Sequence, residues 1–270
     1  WSVNFLLNWC FFDPMPWRTL TSRSPKGKTK MTAETETAYP VTPRNRVKRM
    51  HERGSYDRAA VHAILDAAML CHVAYVIDGQ PYCTPTIHWR EGDWLYWHGS
   101  AASRMLKNQK QGAPVCLTVS HLDGLVLARS GFNHSANYRS AMCFGTAAIV
   151  EAPEEKQKAL KGIIERFYPG RAAGLRENTA QEEKATTVIG MRIEQASAKS
   201  RAKQVGDDEE DFGIAAWAGV IPVSTVIGAP QTSPNLPEGV TFPAHLAPYR
   251  EGRRLDDALA ECQQAYEAGA

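Results

Sequence analysis

Asp93 to Lys107 reads DWLYWHGSAASRMLK, and this stretch decides the fold. Leu95 and Trp97 alternate with Tyr96 and His98, which is the period-2 pattern of a strand built from strong strand formers. Gly99 permits a sharp bend. Ser100, Ala101, Ala102 and Ser103 are small, and Arg104, Met105, Leu106 and Lys107 continue as a helix. A strand, a bend of small residues and a helix start together gather free amide hydrogens at a positive dipole end. Two hydroxyls (Ser100, Ser103) and the Arg104 guanidinium stand there, which is the donor set that a phosphate takes. The same pattern also fits an ordinary strand-to-helix corner with a solvated arginine, and these residues alone leave both readings open.

Outward from this stretch the chain reads as hairpins. A helix over Asp57 to Met69 has one apolar face (Ala60, Val61, Ile64, Leu65, Ala68) and a cap at Ser55 or Asp57. Cys71–Ile77 and Gln80–Trp89 flank the turn pair Asp78-Gly79. Pro81 and Pro85 mark the second of these strands as an edge or as a place where a ligand comes close. Ala113–His121 is a strand that Asp123-Gly124 turns into Leu125–Ala128. Tyr138–Glu151 is a long strand with Gly145 as a candidate bulge. Pro153, Glu154 and Glu155 open a helix that Tyr168-Pro169-Gly170 stops. Residues 171–184 read as a polar connection, and Ala185–Ile193 as another strand. The expectation is six or seven strands, mostly joined by tight turns, hence a mainly β chain with an antiparallel sheet closed into a barrel and peripheral helices.

The flanks read differently. Residues 1–54 form an N-terminal arm expected to be disordered, and residues 1–30, ahead of Met31, are expected to contribute no fold. Residues 55–225 form the barrel domain. Lys199 to Asp211 reads as a mobile acidic loop, and residues 226–270 as an extended wrap with a short helix from Leu255 to Ala268.

A 43% hydrophobic and 22% charged composition is that of a globular chain, and a net charge of +2 gives no global case for nucleic acid. The arginines and lysines between Arg18 and Arg53 read as a solvated arm. The six cysteines show no metal or redox spacing, so neither a zinc site nor a disulfide is expected, and the compartment reads as reducing and cytoplasmic. The apolar run Trp1–Phe12 is too short to span a bilayer. Ser130 and Ser140 lack a nucleophile-elbow pattern, which removes a serine hydrolase.

Three stretches together resemble a known family: PYCTPTIHW (81–89) with DWLYWHGSAASRMLK, NYRSAMCFGTAAIVE (137–151), and WAGVIP (217–222). They look like the flavin-binding split β-barrel proteins related to pyridoxamine 5′-phosphate oxidase, in the branch of the nitroimidazole-resistance and flavin-nucleotide-binding proteins. The resemblance covers roughly residues 55–225. It implies FMN at a homodimer interface and an FMN-dependent oxidoreductase acting on a small molecule. Ser103 and Arg104 would hold the phosphate, with Ser100 beside them. The backbone of Thr84, Pro85, Thr86 and Ile87 would run along the isoalloxazine ring, and Trp97 and His98 would flank ribityl and ring. Arg139 and Ser140 would reach in, and Trp217 would close the ring side; which of two chains supplies Arg139 and Trp217 stays open. His98 is the candidate general acid, against a satisfied strand-end histidine. Met105 stands where the oxidase proper has a lysine, and no basic set for a second phosphate is found, so vitamin B6 oxidase activity is not expected. A flavin carrier or sensor without turnover, and a barrel holding deazaflavin or haem, are the alternatives.

Overall fold

The computed structural model describes residues 37–269. The expectations for residues 1–30 lie outside these. Nine strands and five α-helices follow one another: β1 (Gly54–Ser55), α1 (Arg58–Asp66), β2 (Leu70–Ile77), β3 (Gln80–Glu91), β4 (Trp94–Ser100), α2 (Arg104–Gln109), β5 (Ala113–Leu127), β6 (Ser135–Ile149), α3 (Pro153–Phe167), α4 (Ala180–Ala185), β7 (Thr186–Arg192), β8 (Gln195–Arg201), β9 (Gly219–Pro222) and α5 (Leu255–Gly269). Among the described residues every strand pairing is antiparallel. The order is β1-β8-β6-β7-β4-β3-β2-β5-β9, and β6 also pairs β5. That second pairing closes β2 to β7 into a six-stranded barrel. The long β6 serves both seams, facing β5 along most of its length and β7 through Ala147–Ile149. This is the expected split β-barrel.

Alternation fills the barrel. Cys71, Val73, Leu95, Trp97, Leu117, Val119, Ala141, Cys143, Ile189 and Met191 point inward and are all but fully buried. Gly145 is not a bulge, since its register with Val115 is unbroken. A Cβ there would stand 2.2 Å from the Arg192 carbonyl oxygen and 2.8 Å from Met191 Cγ, so glycine is what lets β7 cross β6 closely. A second apolar layer lies outside the sheet. Trp89 and Val188 meet Ala159, Ile163 and Phe167 of α3 and Leu259 of α5. Pro153 opens α3 with two acids in its first turn, as its sequence requires. Arg90 crosses this layer to Asp66 (2.6 and 2.8 Å) and Glu267 (2.6 Å), and Arg166 donates to the carbonyls of Asp66 and Leu259, which fastens α5 to α1 and α3.

Four expectations need correcting. Asp123-Gly124 makes no turn: β5 runs straight through with a register shift between Leu122 and Gly124. The reason is across the ladder, where Asp123 accepts from Arg139 of β6 at 2.8–3.2 Å. Lys199 to Arg201 belongs to β8 rather than to a loop, pairing β6 on one side and β1 on the other. The connection 171–184 holds α4, started by a Thr179–Glu182 capping box. Residues 37–53 pack on the barrel instead of forming a disordered arm: Tyr39 is 2% exposed, and its hydroxyl donates to Asp93 at 2.9 Å. Among the described residues, no helix is long and apolar enough to cross a membrane.

Candidate functional site

The bend after β4 is built by its own side chains. Ser100 closes the β4–β7 ladder opposite Thr186, and the Ala101 amide donates to the Ala185 carbonyl at 2.8 Å. Ser100 Oγ accepts from the Ala102 amide at 3.2 Å. Ser103 is the N-cap of α2, its hydroxyl accepting from the Leu106 amide at 3.5 Å. Each hydroxyl uses a lone pair in this way and keeps its hydrogen to donate. Met105 and Leu106 are buried and anchor α2 to the core. Leu106 Cδ1 lies 3.2 Å from where a Cβ on Gly99 would stand, so a larger residue at 99 would push the helix off the sheet.

Arg104 is exposed and makes no ion pair among the described residues. Its guanidinium lies over the Tyr82 ring, 4.4 Å from the centroid. Tyr82 in turn stacks on Tyr75 at 5.6 Å, and the Tyr75 hydroxyl is 3.0 Å from Thr84 Oγ1. An aromatic seat on β2 and β3 therefore holds a cation without neutralising it. This joins the bend to the stretch Thr84, Pro85, Thr86 and Ile87, of which Pro85 is exposed and the rest half-buried. The contact of Tyr82 with Arg104 spans a hairpin and a bend, so spacing along the sequence does not show it.

The other candidates lie elsewhere. Trp97 is wholly buried in the barrel core, its Nε1 donating to Gln109 at 3.0 Å, so it supports the bend from inside and flanks no ligand at the surface. His98 is half-buried on the outer layer, edge-on to Trp89, and burial lowers its pKa, leaving it neutral near pH 7. Arg139 and Ser140 stand on β6, reached from β3 through β2 and β5, roughly 14 Å of sheet away at three strand spacings. Arg139 is occupied by Asp123 and, at 2.9 Å, by Asp256 at the start of α5. Its pKa is raised, chiefly by Asp123. Arg254 first, then Arg139, hold Asp256 down at about 2. This network lines a cavity of about 390 Å³ with Leu70, His121 and Leu255. Ser140 Oγ donates to the Lys199 carbonyl at 3.2 Å. Trp217 is 65% exposed and folds over Gly219. A larger cleft of about 480 Å³ contains none of these residues; Glu91, Glu151 and Glu155 rim it, the wrong charge for a phosphate.

Residues 57–200 match the pyridoxamine 5′-phosphate oxidase family. The flavocytochrome Anf3 from Azotobacter vinelandii is 41% identical, over 78% of this chain and 98% of its own, with a TM-score of 0.73. The FAD and haem binding protein from Mycobacterium smegmatis is 38% identical, over 75% of this chain and 98% of its own, with a TM-score of 0.70. No curated protein matches this chain.

Proposed function

Because this chain belongs to the pyridoxamine 5′-phosphate oxidase family, we propose that it is a flavin-dependent redox protein that also carries a haem. The observation that carries the flavin part is Arg104: a guanidinium held in place by Tyr82, with no carboxylate of the described residues on it, at a bend whose two serine hydroxyls donate to none of the described residues. An isolated exposed arginine of this kind fits a phosphate dianion, with the small residues Ala101 and Ala102 allowing close approach. FMN is the flavin that the family resemblance implies. Of the two relatives, the one from Mycobacterium smegmatis binds FAD and haem and the other is a flavocytochrome, which together favour a flavin with haem and leave FAD as the second candidate. Met105 supports the exclusion of a vitamin B6 oxidase: it is 5% exposed and anchors α2, and a lysine in that place would bury its ammonium.

When bound, flavin supplies hydride and electron transfer, and haem supplies one-electron and oxygen chemistry. The chain's own part is to fix the phosphate at the bend and to lay the ring along Thr84 to Ile87. His98 is left out of this role, since it stands edge-on to Trp89 in the outer layer with a buried ring nitrogen. A homodimer belongs to the same proposal. Phe132, Phe212 and Trp217 are exposed at 95%, 60% and 65%, which is unusual for large apolar side chains on a lone chain and fits burial by a second copy.

The test is the absorption spectrum of the purified full-length protein, followed by acid release and chromatography of what it holds. A flavin spectrum with a Soret band is expected, and released FAD or FMN identifies the flavin. A colourless protein that takes up neither flavin nor hemin would refute the proposal.

A further inference from the structure

We propose that His72 is an axial ligand of the haem, and that the uncharged outer face of β3, β2, β5 and β6 is the wall against which the porphyrin lies. This rests on the haem part of the reading above. His72 sits on β2 with Pro85 of β3 opposite it on one side and Thr118 of β5 on the other. Met142 of β6 follows opposite Thr118. The residues sharing this face are Leu70, Ala74 and Val76 along β2, Cys83 on β3, and Cys116 and Ser120 on β5, as the register dictates, and Ile87 of β3 bounds it where it packs into the layer under α3 and α5. None of them is charged. Leu70, Val76 and Met142 are 63%, 56% and 42% exposed. With strands about 4.8 Å apart, β3 to β6 presents roughly 14 Å of surface across the strands.

An apolar face of this kind on a globular chain calls for a cover. A second copy laid directly on it would bury an imidazole among apolar groups, which is unfavourable without a partner. An iron supplies that partner, and histidine is a common axial ligand. Cations border the face where the carboxylates of a porphyrin would need them. Lys199 of β8 stands opposite Ser140, and Arg44 lies over the Phe144 ring at 4.9 Å, with Glu194 no nearer than 3.9 Å. The place also suits electron exchange. His72 faces Pro85, inside the stretch proposed to run along the flavin, and facing Cα atoms of an antiparallel pair are about 5 Å apart.

The other described histidines are spent, buried or without a wall. His62 is held by Tyr39 and Asp93. His88 is closed in at 2% exposure. His98 and His245 each have a buried ring nitrogen. His121 and His134 each put a ring nitrogen on a backbone carbonyl, of Ile64 and Ser130. His51 stands in the arginine-rich segment ahead of β1. His134, exposed on a loop, is the competitor that a test has to include.

The experiment is a hemin titration of the full-length protein followed by absorption and electron paramagnetic resonance, on wild type, His72→Ala and His134→Ala. The expected result is hemin uptake with a histidine-ligated spectrum in wild type and His134→Ala. His72→Ala should bind hemin at least tenfold more weakly and lose that spectrum, and added imidazole should restore it. A wild-type spectrum in His72→Ala overturns the assignment while the haem reading stands. A loss that imidazole does not restore also overturns it, since the side chain then acts through the fold. No hemin uptake by wild type sinks the haem reading and this inference together, and leaves the flavin proposal to its own spectrum.

Discussion

Acid should destabilise this protein through one buried histidine. His88 stands on β3 opposite Trp97, 2% exposed. Burial first, then the Arg166 and Arg90 guanidinium groups, bring its pKa to about 4 from an ordinary 6.5, while the backbone carbonyls of Leu65 and Met69 pull weakly the other way. The unfolded chain takes up its proton near 6.5, and the folded chain holds it off until about 4. Between these values the unfolded state binds more protons, so stability falls as pH drops and the loss is complete below about 4. At 1.36 kcal/mol per unit the full loss is about 3 kcal/mol, and about 2 kcal/mol of it has occurred by pH 5. Burial also lowers the pKa of His62 and His98, which adds to the same slope. The assay is urea unfolding of wild type and His88→Leu at pH 8, 7, 6 and 5. The variant starts less stable, because the histidine's backbone partners lose it, but its stability should fall by about 2 kcal/mol less between pH 8 and pH 5. Parallel curves for the two proteins would refute the reasoning, because they would mean that His88 does not titrate differently on unfolding.

Arg104→Ala should weaken flavin binding by roughly 1.5–3 kcal/mol, the worth of a charge-assisted hydrogen bond, read by quenching of flavin fluorescence during titration of the stripped protein; unchanged affinity removes Arg104 from the site. Gly145→Ala forces a Cβ to within 2.2 Å of the Arg192 carbonyl oxygen, with Met191 on the other side, and no flexible group can yield to it. Overpacking of this kind should lower stability by at least about 2 kcal/mol in thermal or urea unfolding, and a wild-type midpoint would show that β7 does not cross β6 as closely as described.

The sequence announces the parts of this fold whose signals are local. Asp78-Gly79 sits between two apolar runs and makes the β2–β3 hairpin, with Asp78 and Gly79 both at positive φ. Pro153 and its two following acids start α3. What fails is what depends on a distant partner. The strand Gln195–Arg201 offers only Ala196 and Ala198 as inward residues, and becomes a strand because β6 and β1 flank it. Asp123-Gly124 carries a strong turn signal, overridden because Arg139 holds Asp123 across the ladder. The site divides in the same way. Ser100, Ser103 and Arg104 are neighbours in sequence and share one bend, so their juxtaposition is legible; Tyr82 beneath Arg104 comes from another strand and is not. Trp97 is a different failure. Its alternation with Leu95 puts it on the inner face, which conflicts with the cofactor role that the family resemblance implies for it.

Strand β2 shows why an apolar pattern alone underdetermines function. Its inward residues, Cys71, Val73 and Tyr75, fill the barrel, and an antiparallel strand with one wet face would put polar residues between them. Leu70, Ala74 and Val76 stand there instead, with His72 as the one polar group. From sequence this is just an apolar run, indistinguishable from a strand buried on both sides. The barrel removes the ambiguity: among the described residues the outer side stays largely open from His72 to Val76, while its Leu70 end faces Leu255 of α5 across a cavity. An apolar surface that the described residues leave largely open, carrying a single imidazole and lying one strand from the proposed flavin stretch, fits an occupant that gives the imidazole a partner, and a metal-bearing ring does so where a bare apolar contact does not.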